Sequence, residues 1–285
     1  MLSHRARTSR NLGLEIAAIC GKHFLKLEHL HYGYWTDGLE IDIANLHIAQ
    51  KNYTNFVVSH IPDGVKTILD VGCGTGQTAK ELTGMGYSVD CVSPSPFLTE
   101  QASSLLGETS RIFTCPFEEV ETTDRYDLVL FSESFQYLAL EKALEQTAKF
   151  LNSSGYMLIC DIFKNDAEGK TVLGGGHKLA KFRERVRHHP FELVVDEDIT
   201  DQTAPNIDIF DAALKEVLAP VLDSGFGFLK GRYPLTVKFL RWKYRKKINR
   251  MYGKYLNGER TGEEFKRFKT YRLFLYRKTC PNGTG

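Results

Sequence analysis

With 285 residues the chain is long for one domain of about 100–200 residues, so we expect one domain with an elaboration. Its 42% hydrophobic and 25% charged residues are typical of an ordinary soluble protein, and no stretch predicts a signal peptide or a transmembrane span. The net charge of +2 hides an asymmetry, because residues 230–278 carry 17 Lys and Arg against three acids, which leaves about −12 for the remainder.

Six cysteines are spread along the chain without a C-x-x-C pair, and three of them fall in predicted strands or in a glycine-rich loop. This pattern favours reduced thiols in a cytosolic setting over disulfides or zinc, so we expect a cytoplasmic protein without a bound metal. The six residues are Cys20, Cys73, Cys91, Cys115, Cys160 and Cys280.

Residues 12–60 read as helical and aromatic-rich, and they predict a helical cap in front of the first strand. Apolar runs then alternate with helical segments. The predicted strands cover residues 66–71, 88–92, 111–114, 126–131, 156–162, 191–196 and 270–276. This alternation predicts an α/β fold with a doubly wound, mostly parallel, seven-stranded Rossmann-like sheet that binds ligands at the carboxyl ends of its strands.

One helix in this alternation has a clear stop signal. The predicted helix 138–151 runs into Asn152-Ser-Ser-Gly155, so we expect the chain to turn there. The next strand is then expected to begin at Tyr156.

Residues 201–267 exceed what an alternating α/β scheme needs, and they predict a helical lid inserted before the last strand. Apolar spacing of three or four marks one helix over 207–221, and a second follows Pro234 with Lys and Arg around an apolar stripe. Thr261 and Glu264 have the spacing of a capping box. The predicted organisation is a cap over 1–60, a core over 61–200, a lid over 201–267, and the final strand and tail over 268–285.

Residues 68–76, Ile-Leu-Asp-Val-Gly-Cys-Gly-Thr-Gly, are the most informative stretch. An apolar run ends in Asp70, and three glycines at alternate positions follow, as expected for a strand, a tight turn and a helix start. A dinucleotide site would need a third glycine where Gln77 stands, and a P-loop would need Gly-Lys-Ser/Thr, which does not occur. The acid suits a nucleotide-like ligand with cationic and hydroxyl donors.

At these residues the chain resembles class I S-adenosylmethionine (SAM) methyltransferases. The resemblance implies SAM as cofactor, S-adenosylhomocysteine as its product, and no metal. It implies a ribose contact at Ser93, where the tocopherol methyltransferases also have a hydroxyl residue, and Asp90 is the alternative acceptor. The implied cofactor-binding residues are Asp70, Gly72, Cys73, Gly74, Gln77, Ser93, Pro94, Phe117, Phe131 and Trp35.

A second informative string, Phe131-Ser-Glu-Ser-Phe-Gln-Tyr137, follows the fourth predicted strand. Its Glu-Ser pair resembles the tocopherol methyltransferases, and the Tyr three residues on resembles the terpenoid C-methyltransferases that act on geranyl diphosphate. The segment 29–35 resembles that of the tocopherol and sarcosine-type enzymes. Nucleic-acid base methyltransferases carry Asn/Asp-Pro-Pro-Tyr/Phe after this strand, which the chain lacks, so we expect no nucleic-acid partner.

Methyl transfer is an in-line displacement, so the residues near the methyl group position the acceptor and take up at most one proton. Glu133 is the candidate proton acceptor or carbocation stabiliser, and the alternative is that it caps a helix or orients an aromatic ring. Tyr32, Tyr34, Trp35 and Tyr137 are candidates for cation–π contact with the sulfonium, with core packing as the alternative for each. His29 and His31 are candidate bases, with a structural or surface role as the alternative. The candidate catalytic residues are Glu133, Tyr137, Tyr34 and His31.

The basic helix 236–255 has three interpretations. Its charged face is simply solvated, or it steers an anionic substrate or rests on an acidic membrane surface, or it binds nucleic acid. The second interpretation predicts a peripheral membrane contact.

The sequence therefore predicts a SAM-dependent methyltransferase of the ubiquinone/tocopherol-like small-molecule group. Its acceptor is expected to be a hydrophobic or amphipathic molecule such as an isoprenoid, a quinone, a lipid or another specialised metabolite. The alternatives are a non-catalytic SAM-fold scaffold protein and an RNA methyltransferase that uses the basic C-terminal segment. Neither the methylated atom nor the oligomeric state follows from the residues.

Overall fold

The computed structural model describes residues 27–255 and 260–279, together with the isolated positions 19 and 21. Within these residues, eight strands form a single sheet and confirm the predicted Rossmann-like α/β fold. The strands are β1 (Thr67–Val71), β2 (Ser88–Val92), β3 (Ile112–Phe113), β4 (Tyr126–Ser132), β5 (Leu151–Lys164), β6 (His177–Lys178), β7 (Phe191–Asp198) and β8 (Lys269–Lys278).

The sheet has the strand order β3-β2-β1-β4-β5-β8-β7, and the two-residue β6 pairs with β5. Strands β1 to β5 pair in parallel, whereas β8 runs antiparallel between β5 and β7. The order reverses between β1 and β4. A doubly wound sheet binds ligands at such a switch point, outside the carboxyl ends of the strands.

Helices cover both faces of the sheet, and neighbouring residues of β1 belong to different cores. Ile68 packs in a cluster with Tyr53 and Ala79, and Leu69 packs in a second cluster with Phe117. No helix in the described part of the chain is both long and apolar enough to cross a membrane. The helices are α1 (Leu46–Ser59), α2 (Gln77–Gly84), α3 (Pro96–Leu106), α4 (Leu140–Phe150), α5 (Leu179–Val186), α6 (Thr200–Thr203), α7 (Pro205–Ala212), α8 (Ala219–Arg232), α9 (Pro234–Tyr255) and α10 (Gly262–Phe268).

The predicted helical cap over residues 12–60 is only partly correct. Residues 27–42 are not helical, and most of the remaining residues before them lie outside the described part of the chain, as does Cys20. The backbone of this segment is paired elsewhere, because the Tyr34 N–H donates to the Ala49 carbonyl at 2.8 Å and the Gly33 N–H donates to Asn206 Oδ1 at 2.8 Å. A Cβ at Gly33 would lie 2.5 Å from that of Ala49, so the close approach requires glycine.

The turn predicted at residues 152–155 is instead a bulge within β5. The helix does end before it, at Phe150, but pairing with β4 starts at Leu151 opposite Tyr126 and then jumps to Tyr156 opposite Leu128. The bulge is held because Asn152 Nδ2 donates to Asp127 Oδ1 at 2.7 Å. The stop signal was therefore correct for the helix and wrong for the start of the strand.

The insertion before the last strand is helical in its described residues. The first predicted helix, 207–221, is divided into α7, a π-helical turn (Ala213–Leu218) and the start of α8. Helix α9 begins at Pro234, and Thr261 caps α10 by accepting from the Glu264 N–H at 3.1 Å. Residues 256–259 lie outside the described chain.

Candidate functional site

A cavity of about 430 Å³ opens at the carboxyl ends of β1, β2 and β4. Its wall combines the glycine loop after β1, the Ser-Pro turn after β2, the string after β4 and residues 29–32 of the N-terminal segment. Eleven of the fourteen predicted site residues meet there. They are His31, Asp70, Gly72, Cys73, Gly74, Gln77, Ser93, Pro94, Phe117, Glu133 and Tyr137.

Asp70 contributes a buried carboxylate to this wall at the end of β1. Its side chain is 2% exposed, and Oδ2 has no hydrogen-bond partner among the described residues. Burial raises the pKa of Asp70 to about 7. A buried charge without a partner is costly, so the unpaired oxygen indicates that a ligand supplies the donor.

The glycine loop lies directly against the string that follows β4. Gly72 has φ +84°, and a Cβ placed there would lie 2.4 Å from the Cβ of Ser134. The Ser134 hydroxyl donates to the Val71 carbonyl in turn. The two loops that carry the informative sequence strings therefore form one packed unit.

We expect Gly72→Ala to lower the free energy of unfolding by about 2–5 kcal/mol, since left-handed strain and steric overlap add. Gly64→Ala is the matched control, because Gly64 has φ +85° and a Cβ placed there would meet no atom within 4 Å. This control should lose only the strain, about 1–2 kcal/mol. Urea unfolding of both variants measures the difference. Equal losses would contradict the packed unit.

Ser93 and Asp90, the two candidate ribose contacts at β2, differ in their position relative to the cavity. Ser93 is 2% exposed and lines the cavity. Asp90 lies away from the cavity, where it accepts from Arg111 Nη2 and from the Tyr126 hydroxyl, both at 2.7 Å. The alternative of Asp90 as the ribose acceptor is therefore contradicted by its position.

Phe117 forms the apolar part of the wall beyond β3. It is buried, with its ring 5.5 Å from that of Phe131 and 5.9 Å from that of Phe150 in edge-to-face contacts. Beside it, Glu118 Oε1 accepts from the Ala139 N–H at 2.9 Å. Phe117 and Glu118 both line the cavity, so this side of the wall combines a ring with a carboxylate.

Glu133 is the charged residue of the wall after β4, opposite the glycine loop. Its φ of +54° is the left-handed conformation, which is uncommon for a residue other than glycine. Oε1 accepts from the Tyr271 hydroxyl at 2.7 Å and from the Tyr32 N–H at 2.8 Å, so the side chain does not cap the following turn. Burial raises the pKa of Glu133 to about 8, although both hydrogen bonds act to lower it.

Tyr271 is a residue of this site that the sequence analysis missed. It lies on β8, 138 positions from Glu133, and its hydroxyl also lies 3.0 Å from that of Tyr53. The sequence predicted this strand, but the antiparallel position of β8 beside β5 is what brings Tyr271 to the site. The apolar run of β8 was the available sequence signal, and it does not identify the residue that faces Glu133.

His31 reaches the cavity, but its ring nitrogens are already engaged. Nδ1 lies 2.8 Å from the Tyr32 carbonyl oxygen and Nε2 lies 3.2 Å from Thr54 Oγ1. Burial lowers the pKa of His31 to about 3. These contacts contradict the interpretation of His31 as a base and make it a support of the segment.

Three predicted residues do not contribute to the cavity wall that the described residues form. Trp35 is buried with Leu46 and Ala49, so it belongs to the packing of the N-terminal segment on α1. Tyr34 stacks on Phe56 with ring centroids 4.9 Å apart, and Phe131 lies in the core. Of the four aromatic residues predicted to contact a sulfonium, Tyr32 and Tyr137 line the cavity, whereas Tyr34 and Trp35 do not.

The described residues contain no group of three or more His, Cys, Asp or Glu side chains arranged to hold a metal ion. His189, which follows a second histidine in the sequence, lies 3.2 Å from Glu141 in an ion-pair geometry and not in a metal site. The thiols of Cys73, Cys91, Cys115 and Cys160 are free, and Cys280 lies outside the described residues.

A family model described as a methyltransferase domain matches residues 47–208. A malonyl-acyl-carrier-protein O-methyltransferase of Anoxybacillus flavithermus is 31% identical over 38% of this chain. A ubiquinone biosynthesis O-methyltransferase of Bradyrhizobium diazoefficiens is 24% identical over 55% of this chain. The chain spans only 44% and 63% of the lengths of these two relatives.

Solved structures share the fold over nearly the whole chain. The cyclase SpnF superposes with a TM-score of 0.66 at 19% identity, covering 97% of this chain and 98% of its own. Geranyl diphosphate C-methyltransferase of Streptomyces coelicolor, in complex with S-adenosylhomocysteine, has a TM-score of 0.64 at 15% identity, covering 93% and 92%. Because the family model covers more than half of the chain, the protein belongs to the methyltransferase-domain family, among the class I SAM-dependent methyltransferases.

Proposed function

We propose that the protein transfers the methyl group of SAM to a hydrophobic or amphipathic small molecule. The observation that carries the proposal is that one cavity is lined by two carboxylates: the buried Asp70, whose Oδ2 has no hydrogen-bond partner among the described residues, and the hydrogen-bonded Glu133, whose backbone has a positive φ. The first carboxylate suits cofactor binding, and the second suits proton transfer at the acceptor.

The residues that line the cavity suit SAM in their hydrogen-bonding groups. Asp70 offers an acceptor to a cationic or hydroxyl group of the ligand, the backbone of the glycine loop allows close approach, and Ser93 offers a hydroxyl for the ribose. Phe117 offers a ring face or edge to the adenine. When bound, SAM supplies an electrophilic methyl carbon on a sulfonium.

Glu133 is proposed to take up the proton that the acceptor loses, or to stabilise positive charge on an alkene acceptor. The Tyr271 hydroxyl and the Tyr32 N–H orient its Oε1. Tyr32 and Tyr137 line the cavity and would offer ring faces to positive charge. The alternative role for Glu133, anchoring the N-terminal segment through Tyr32, would leave turnover unchanged when the carboxylate is replaced by an amide.

The acceptor class is proposed from the wall and from the relatives. The side of the cavity beyond Glu133 is formed by Tyr32, Tyr137 and Leu138, which offer mainly apolar surface. One relative is named for ubiquinone biosynthesis, and one structure of the same fold holds a geranyl diphosphate analogue. An isoprenoid, a quinone or another lipid-like metabolite is therefore the proposed acceptor.

Calorimetric titration with SAM and S-adenosylhomocysteine tests the cofactor, and methyl transfer from labelled SAM to a panel of prenyl diphosphates, quinols, fatty acyl carriers and amines tests the reaction. We expect micromolar binding and a product that has gained one methyl group. Binding without transfer to any acceptor would favour a non-catalytic scaffold. Loss of both would contradict the proposal.

SAM affinity should depend on pH through Asp70. A ligand donor favours the ionised carboxylate, whereas burial holds the pKa of Asp70 at about 7 in the free protein. Binding should therefore release a proton below that pKa, and the Kd should fall as the pH rises through it and level off above. Calorimetry in buffers of different ionisation enthalpy measures the proton. If Glu133→Gln shows the same pH dependence of the Kd, the titrating group is Asp70. If the pH dependence is lost in Glu133→Gln, the assignment to Asp70 is contradicted.

A further inference from the structure

Helices α8 and α9 form a surface that the packing of the described chain leaves uncovered. None of the residues of α8 is buried. The most exposed apolar side chains of the two helices are Val221, Phe228, Leu235 and Trp242, at 63%, 72%, 81% and 67%. Apolar side chains of this size usually become covered when they share a face.

These four residues, named here the apolar stripe, follow one another at intervals of seven. Seven residues are nearly two helical turns, so they share one face. The face continues across Pro234, because the Tyr233 N–H donates to the Leu229 carbonyl at 2.7 Å and the Val237 N–H donates to the Tyr233 carbonyl at 3.1 Å.

The two helices are also strongly basic. Between residues 219 and 255, Asp223 is the single acid in the sequence. The cations are Lys230, Arg232, Lys238, Arg241, Lys243, Arg245, Lys246, Lys247, Arg250 and Lys254. Lys238, Arg245 and Lys246 follow a stripe residue by three or four positions and so lie beside it. A surface with this charge attracts an extended anionic partner.

The stripe and the charge together decide between partners. Another face of the two helices does carry apolar residues at intervals of three and four, which are Leu222, Phe226, Leu229, Tyr233, Val237, Leu240 and Tyr244. A second copy would, however, bring ten more cations with a single acid against the first ten, so repulsion between like charges opposes that pairing. Nucleic acid would use the cations and leave the aliphatic side chains of the stripe exposed. An anionic bilayer uses both, since apolar side chains enter the acyl boundary and Lys and Arg reach the head groups.

We propose that α8 and α9 dock the apolar stripe onto an anionic lipid bilayer. The segment is connected to the cavity, because Phe210 of the preceding α7 packs 5.8 Å from the ring of Tyr32. Supply of a lipid-like acceptor from this bilayer rests on the proposed function, whereas binding to the bilayer does not.

Trp242 provides a direct probe, since the other tryptophan, Trp35, is buried at 5% exposure. We expect the emission of the full-length protein to shift to the blue with vesicles of phosphatidylcholine and phosphatidylserine. Vesicles of phosphatidylcholine alone should give a much smaller shift. Trp242→Phe should remove the emission shift, while the variant protein still sediments with the vesicles.

Two sets of variants separate charge from apolar contact. Replacing Lys238, Arg245 and Lys246 with Ala should weaken binding to anionic vesicles by about a hundredfold, at about fivefold for each charge. Phe228→Ser with Leu235→Ser should keep weak, salt-sensitive binding and lose the Trp242 shift. The matched control replaces with Ala three exposed lysines on the helices that cover the sheet, and this variant should bind vesicles like the parent protein. These are Lys142, Lys149 and Lys181.

Sedimentation velocity and RNA retention complete the experiment. A dimer that shields Trp242 without vesicles, RNA retention without vesicle binding, or no vesicle binding by the folded protein would each overturn the proposal. Equal binding by the charge variant and its control would overturn it too. Vesicle binding by a protein without methyl transfer would support the docking and contradict the proposed function alone.

Discussion

Asp70→Ala is expected to raise the Kd for SAM by about 10- to 150-fold, which would turn micromolar binding into weak binding. The reason is the unpaired Oδ2 of Asp70, since a hydrogen bond to a buried charged group is worth about 1.5–3 kcal/mol. Titration of the folded variant with SAM and S-adenosylhomocysteine measures the loss. Asp70→Asn keeps the volume of the side chain and should lose most of the affinity as well.

Asp90→Asn is the matched control for this experiment. Asp90 is also an aspartate and lies on β2, the strand next to that of Asp70. Its carboxylate binds Arg111 and Tyr126 away from the cavity. We expect Asp90→Asn to lower stability and to leave the Kd for SAM unchanged. SAM binding that survives in Asp70→Ala and fails in Asp90→Asn would reverse the assignment of the two acids.

Glu133→Gln is expected to slow turnover by about 100- to 10,000-fold, the range for loss of a general base, while the Kd for SAM changes little. Gln keeps the shape and can still accept from Tyr32 and Tyr271, so the N-terminal segment should stay in place. Single-turnover methyl transfer to an identified acceptor measures the effect. Unchanged turnover would leave Glu133 with the anchoring role alone.

Tyr271→Phe separates the two roles further. The Tyr271 hydroxyl lowers the pKa of Glu133, so its removal should raise that pKa above about 8. If Glu133 acts as the ionised base, the rate rises with pH through its pKa, and the rise should move to higher pH in Tyr271→Phe. A parallel loss of rate at every pH would instead indicate a packing effect.

The strands and the cofactor loop were readable from the sequence because their signals are local. An apolar run, an acid and alternating glycines specify a strand, a turn and a helix start without any distant contact. The alternation of strands and helices then predicted the parallel sheet. As a result, Asp70, the glycine loop and Ser93 were expected on one edge of the sheet, where the structure has them.

The remaining parts of the site depend on contacts between distant residues. Tyr271 reaches Glu133 only because β8 enters the sheet beside β5. Residues 27–42 were expected to be helical, but their backbone bonds elsewhere, because the Gly33 N–H donates to Asn206 Oδ1 and the Tyr34 N–H donates to the Ala49 carbonyl. Aromatic residues in such a segment fill core and cavity alike, so the sequence could not separate Tyr32 from Tyr34 and Trp35.

The double pairing of Gly33 with Asn206 has a kinetic consequence. Asn206 Oδ1 accepts from the Gly33 N–H and Nδ2 donates to its carbonyl at 2.7 Å, while the adjacent Tyr32 forms part of the cavity wall. If this wall opens to release the product, the two hydrogen bonds between Asn206 of the insertion and Gly33 have to break first. We then expect the residence time of the product to depend on α7, which carries Asn206. The insertion would in that case limit the rate of successive catalytic cycles.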